Sequence, residues 1–359
     1  MSINRPRVLM IGPSRKSQGG ISSVVNGWFD SAMLGKADIR YLNCSIDGSK
    51  VAKLAVGCCS LLRTLLFARK FDLVHIHMGG GNSYNRERLF VSAAVDASVP
   101  AVLHIHDGLF RILWEKRSDQ AGRKRIRDTL EACDRVVVLS TEMEGYIRDN
   151  ISAAVRTVCI PNGIVCHPPT LPKRRGTVLF LGHFDDNKNA DVIVRAMGLL
   201  KERGLTAKAY FCGDGDVESH LELVRKLGLE DTCEYLGWVG GLKKQELLDR
   251  CSIFCLPSNN EAMPVSLLEA MSNGLAAVVT PVGGMLDIVD DGVTGRFVTP
   301  GDERSLANAL CDLIEHDDVC ARIAESGRQK VVNTFSMDAA VNRVLSLYRG
   351  VLKERARHE

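Results

Sequence analysis

The sequence predicts an α/β protein built as two doubly wound, Rossmann-like domains with a cleft between them. Three observations predict this. Short runs rich in Val, Ile and Leu alternate with helical patterns along the whole chain, as in parallel sheets covered on both faces. A Pro-rich basic stretch, "IPNGIVCHPPTLPKRRG", interrupts the alternation near the middle with Pro161, Pro168, Pro169 and Pro172. At 359 residues the chain is long for one domain and comfortable for two.

The elements follow in order. Residues 7–12 (RVLMIG) read as a buried strand, and 19–29 (GGISSVVNGWF) as a Gly-rich turn into a helix. Residues 71–78, 100–107 and 134–140 are further short apolar strands. After the linker, 176–184 and 207–215 read as strands ending in loops, and 252–257 and 276–284 as a third and fourth. Between the first two lies "ADVIVRAMGLLKERG", an amphipathic helix with Val192, Ala196, Leu199 and Leu200 on one face and Gly204 at its end. A last helix starts near Met337 and turns basic towards its end. The domain expectation is 1–165, a linker 166–175, then 176–335, and a terminal helix 336–359 that crosses back to the first domain.

Net charge is only +3, but it is unevenly placed. Residues 1–175 carry 26 Lys+Arg against 15 Asp+Glu, and residues 176–359 carry 20 against 28. A basic half joined to an acidic one predicts that the first domain faces something anionic. The absence of an RNP motif, a zinc finger or interleaved aromatic and basic residues argues against nucleic acid. An anionic lipid surface remains, and the stretch Lys50–Lys70, apolar and edged by Lys50, Lys53, Arg63, Arg69 and Lys70, offers it a helix. The competing reading is a core helix with snorkelling basic ends. Interrupted by Arg63, the apolar run 54–68 reads as too short and broken to span a bilayer. No signal peptide is read in "MSINRPRVLMIGPS", so the twelve cysteines, which show no CxxC pair, read as reduced core thiols of a cytosolic protein.

The stretch "SNNEAMPVSLLEAMSNG" (258–274) carries the most chemistry. Glu261 falls in the loop before Pro264, and Glu269 eight positions later falls inside a helix that Asn273-Gly274 ends. A helix N-terminus between two carboxylates suits a ligand with a negative centre and a polar group at each end. The alternative is two solvated acids. Gly19-Gly20 before the first helix would let backbone approach a phosphate, or simply make a turn. His104 and His106 alternate on one strand, and His75 and His77 on another, so each pair shares a face. Metal binding by them is disfavoured, because few acidic ligands lie at suitable spacing; packing is the expected role of His75, His77 and His104. Asp185-Asp186 lacks the spacing of a DxD metal motif and reads as solvated loop acids.

Taken in order, "LGHFDDNKN", "CGDGD", "LPSNNEAMPVSLLEAMSNGLAAVVTPVGG" and "DGVTGRFVTPGD" resemble the C-terminal domain of the retaining GT-B glycosyltransferases of family 4 over about residues 176–302. "GPSRKSQGGISSVV" and "HIHDG" extend the resemblance to the first half, towards bacterial enzymes of exopolysaccharide and capsule assembly. The resemblance implies a GT-B fold and a metal-independent hexosyltransferase without cofactor. Its donor would be a UDP- or GDP-linked sugar, and its acceptor a polyprenyl-diphosphate-linked saccharide at the inner face of the plasma membrane. Glu261 and Glu269 match the family's E-x7-E pair, the first contacting the donor sugar and the second the ribose. Met263 and Val265, between them, join the donor site. Lys188 matches a lysine that neutralises the leaving diphosphate, and Gly19, Gly20 and His106 match donor contacts of the first domain. The catalytic set implied is Lys188, Glu261 and His106. One departure is plain: His183 stands where the family has arginine, and imidazole titrates near pH ~6.5 where guanidinium stays charged. It leaves open a catalytically inactive nucleotide-sugar-binding subunit; a GT-B epimerase would instead need an acid/base pair, and none is identifiable.

Overall fold

A computed structural model of the protein describes residues 5–17, 19–31, 33–79, 83–106 and 108–357. Gln18 of the "GPSRKSQGGISSVV" stretch and Asp107 of "HIHDG" lie outside the described residues. The chain divides into two units, Met1–Ile164 with Met337–Glu359, and Val165–Ser336.

The first unit is a six-stranded parallel sheet. Its strands are β1 (Arg7–Pro13), β2 (Asp38–Ser45), β3 (Leu73–Met78), β4 (Ala101–Ile105), β5 (Arg135–Val138) and β6 (Thr157–Cys159), in the order β2-β1-β3-β4-β5-β6. The central strands β3 and β4 are buried at every position, which is why they read as unbroken apolar runs. The helix Met337–Arg355 belongs to this unit. Its Arg355 reaches Asp134, and its Tyr348 is fully buried against His75.

The second unit is also a parallel six-stranded sheet: β7 (Arg174–Leu181), β8 (Lys208–Cys212), β9 (Cys233–Tyr235), β10 (Cys251–Leu256), β11 (Ala276–Val279) and β12 (Gly295–Phe297), in the order β12-β11-β10-β7-β8-β9. Arg174 and Arg175, expected in the linker, already belong to β7. From β7 the chain winds outwards through β8 and β9, then returns to the other side of β7 to lay down β10. The reversal puts a crevice beyond the carboxyl ends of β7 and β10, where ligands of such sheets bind.

Two expectations need correction. Arg63 does not break the apolar stretch: Lys50–Phe67 is one continuous helix, and with the short turn Ala68–Lys70 it is long and apolar enough, by length and composition, to cross a membrane. Nor is it a core helix, since only 22% of its apolar stretch is buried. The cysteines are free, but Cys58 and Cys59 on this helix are exposed, so they are not core thiols.

Candidate functional site

The two loops that leave β7 and β10 are laced together. Asn259 N–H donates to Asn187 O at 2.7 Å, Asn189 Nδ2 to Pro257 O at 2.9 Å, and Asn187 Nδ2 to Asn260 O at 3.0 Å. Asn189 sits in the left-handed region at φ 54°, a conformation asparagine tolerates better than most residues. Asp185 Oδ1 accepts from the backbone N–H of Lys188 at 2.8 Å and of Asn187 at 3.1 Å. That carboxylate shapes the turn that presents Lys188.

Lys188 Nζ donates to Glu261 Oε1, and Ser258 Oγ donates to the same oxygen at 2.8 Å. Glu261 is buried, its side chain 9% exposed, and Lys188 is 22% exposed. The pair stands at the reversal point, three residues before Pro264, which precedes the helix Val265–Ser272. Among the described residues no side chain caps this helix at Pro264, which leaves its first N–H groups at the loop without a capping side chain. Leu267, Leu268 and Met271 anchor it in the core. Met263 is buried and Val265 half-buried. Glu269, one turn and a half into the helix, is held by Lys244 Nζ at 2.7 Å.

Glycines set how closely these backbones approach. At Gly283, φ 52°, a Cβ would lie 1.7 Å from Glu261 O, and at Gly284 it would lie 2.2 Å from Ala262 O. The turn after β11 is thus pressed against the backbone that carries Glu261. Gly213, φ 155°, does the same to Gly182 O, where a Cβ would come to 1.7 Å. This close approach brings Asp214 Oδ1 to within 2.7 Å of His183 Nδ1. Both side chains are more than half exposed, and Asp214 orients the ring, leaving Nε2 without a described partner.

In the first unit, Gly19 at φ 142° precedes the helix Gly20–Asp30 and has open space where a Cβ would be. His106 follows β4, half-buried, with Nε2 at 2.8 Å from His77 Nδ1. His75 Nε2 lies 3.3 Å from His104 Nδ1, and His75 Nδ1 lies 2.6 Å from Tyr348 Oη. His75, His77 and His104 are buried on one face of the sheet against Trp28. Burial pushes His75 and His106 down to about 3, and His77 and His104 well below the usual range, so all four rings are neutral at neutral pH. Nitrogens of His75, His77 and His104 lie within 4.8 Å of one another, close enough for a metal, although both ring nitrogens of His75 already have partners.

Lys188, Glu261, His183 and Glu269, which the sequence motifs point to, gather at the ends of β7 and β10 and on the helix that follows. The motifs do not single out Lys244, Ser258 or Asp214. Lys244 lies on a different helix, Gly241–Arg250, and nothing in its local pattern signals a partner 25 residues away.

Two parallel sheets of six strands, with a lysine–glutamate pair at the reversal of the second, define a GT-B glycosyltransferase fold. The description "Glycosyl transferases group 1" matches residues 167–330, and "Glycosyl transferase 4-like domain" matches residues 26–163. The chain belongs to the GT-B glycosyltransferases of the family-4-like type. It is 26% identical, over 80% of its length and 77% of the relative's, to the Escherichia coli UDP-Gal:alpha-D-GlcNAc-diphosphoundecaprenol alpha-1,3-galactosyltransferase. To an uncharacterized glycosyltransferase of Methanocaldococcus jannaschii it is 28% identical over 48% of its length, spanning only 44% of that protein. Among solved structures, the sucrose-phosphate synthase of Thermosynechococcus elongatus superposes with a TM-score of 0.80 at 18% identity, covering 98% of this chain and all of that one. Anabaena HepE in complex with UDP-glucose superposes with a TM-score of 0.73 at 19% identity, over 95% and 98%.

Proposed function

We propose that the protein transfers a hexose, with retention, from a UDP- or GDP-linked donor to a polyprenyl-diphosphate-linked saccharide at the inner face of the plasma membrane. The observation that carries the reading is the Lys188–Glu261 pair beside an uncapped helix N-terminus, with Glu269 farther along the same helix. Glu269 takes the ribose hydroxyls and Glu261 the sugar. As the bond from the anomeric carbon to the diphosphate oxygen breaks, negative charge grows on that oxygen. Lys188 and the helix N–H groups stabilise it. The departing diphosphate takes the proton of the acceptor hydroxyl, whose oxygen bonds the anomeric carbon on the same face, so configuration is kept. His183, oriented by Asp214, stands in for arginine as a donor near the phosphates. Gly19, Gly20 and the neutral His106 are assigned to the donor by the family resemblance.

The lipid-linked relative from Escherichia coli and the UDP-glucose complex of the Anabaena protein support the choice of acceptor and donor classes. The test is transfer from radiolabelled UDP- and GDP-hexoses to an undecaprenyl-diphosphate-linked sugar, with anomeric configuration read by NMR. Donor binding without transfer to any lipid-linked acceptor would favour an inactive binding subunit, and inversion would remove the mechanism.

A further inference from the structure

The helix Lys50–Phe67 turns most of its apolar side chains outwards. Its fully buried residues are the small, polar Ser60 and Thr64, with Leu61 partly buried against the core, and Ser60 Oγ donates to Asn43 O of β2 at 2.6 Å. Its outward side carries Val51, Leu54, Cys58, Leu62 and Leu65 at spacings of three and four, one continuous stripe on a helix. Val51 is 77% exposed, Leu54 69% and Leu66 63%. A surface helix ordinarily turns its apolar stripe inwards, and contiguous exposed apolar area of this kind marks an interaction site.

Charge surrounds the stripe. Among the described residues, no carboxylate lies within ion-pair distance of Lys50, Lys53, Arg63, Arg69, Lys70 or Arg40 of the adjacent edge strand. At the helix's carboxyl end a cavity of about 290 Å³ opens between it and β2, lined by Leu42, Phe67, Phe71 and Tyr41, with Arg40 and Arg63 also on its wall. An apolar wall with two guanidiniums and no acid to neutralise them suits an amphiphile with an anionic head.

We propose that this face docks on an anionic bilayer, with the helix lying in the interface plane and Arg40 and Arg63 holding a phospholipid phosphate at the cavity. Apolar side chains facing lipid and basic flanks facing headgroups are what an interfacial helix requires. Spanning the bilayer would strip Ser60 from β2 and put the unmatched polar face into hydrocarbon, so the helix lies on the membrane rather than through it. The assignment goes beyond the transfer reaction, and its test uses neither donor nor acceptor.

The test is flotation of the whole chain with mixed phosphatidylglycerol/phosphatidylcholine vesicles and with phosphatidylcholine alone. Wild type binds the mixed vesicles more tightly. Arg40→Gln/Arg63→Gln weakens that binding about 30-fold, the effect of two cations at their usual strength near an anionic surface. Raising salt from ~0.1 to ~1 M, which shortens screening from about 10 to about 3 Å, leaves a residual bound fraction in wild type. Leu54→Ser/Leu62→Ser/Leu66→Ser removes that fraction; its exposed positions preserve the fold, checked by an unchanged melting curve. Equal binding to both vesicle types, or a serine variant that binds like wild type, would overturn the proposal. So would displacement by soluble glycerol 3-phosphate, which would assign the cavity to a free phosphate. A dimer in sedimentation that the serine variant abolishes would assign the face to a second copy of the chain instead.

Discussion

Lys188 and Glu261, 73 residues apart in sequence, form an ion pair between the loop after β7 and the loop after β10. The carboxylate is nearly closed off from water, and Ser258 fills a second of its acceptor positions. The pair fixes the Lys188 ammonium on a buried carboxylate three residues before Pro264, where the proposed reading places the donor diphosphate. Removing the lysine therefore removes a preorganised donor. Lys188→Ala is expected to lower kcat about 10²–10³-fold with a smaller change in donor affinity. Steady-state kinetics with a melting control check it; near-normal turnover in a folded variant would sink the assignment.

Glu269 is held by Lys244 and lies within the helix rather than at its entrance. The proposed ribose contact would be made before and during the transition state, so Glu269→Ala should raise donor KM and leave kcat little changed. Calorimetric titration of nucleotide into the folded variant reads it directly, and unchanged affinity would remove the role.

Gly283 has no room for a side chain. A Cβ would meet the Glu261 carbonyl oxygen, and φ 52° is itself unfavourable to any L residue. Gly283→Ala is expected to destabilise the protein by about 2–3 kcal/mol and to reduce turnover by shifting Glu261. Paired thermal unfolding and rate measurements test both effects; a variant with wild-type melting would show that the turn yields without strain.

Acid should act on the first unit through its histidines. In an unfolded chain imidazole titrates near pH ~6.5, whereas burial holds His75 down at about 3. Between those values the unfolded chain binds protons that the folded chain refuses. Stability is fully present above the window and falls as pH drops through it. For one such ring the loss by pH ~5 is about 2 kcal/mol. Melting temperature should thus fall from pH 7 to pH 5. His77→Leu, replacing a ring whose Nε2 has no partner among the described residues, should make that fall smaller. An identical pH slope in the variant would exclude His77 from the effect.

Chelation should not stop transfer if catalysis is metal-independent. Asp185, three residues before Lys188, already accepts from two backbone N–H groups through Oδ1. Activity in excess EDTA measures this, and loss restored by Mg²⁺ or Mn²⁺ would contradict it.

The eight central strands were legible because each is short, apolar and bounded by turn residues. The strands that pattern reading did not find are β2, β6, β9 and β12, the two edges of each sheet. An edge strand is covered incompletely, so its sequence need not be apolar throughout; β2 carries a single fully buried residue, Cys44. Similarly, the helix 50–67 was visible as an apolar segment with basic edges, while its orientation was not. Periodicity states which residues share a face but not which way the face turns; Ser60 and Asn43 decide that.

By itself the sequence determined the alternation of strands and helices, the two-domain length, and the order of motifs that places Lys188, Glu261 and Glu269 in one family. These are local or linear properties, written in residue type and spacing. Only the tertiary structure decided that Lys244 holds Glu269, that Asp214 orients His183, that Gly283 presses against Glu261, and that His75, His77 and His104 share one buried layer with Trp28 and Tyr348. Each of these joins segments far apart in sequence. Their meeting depends on strand order and on how closely backbones can approach, which no single stretch of the chain encodes.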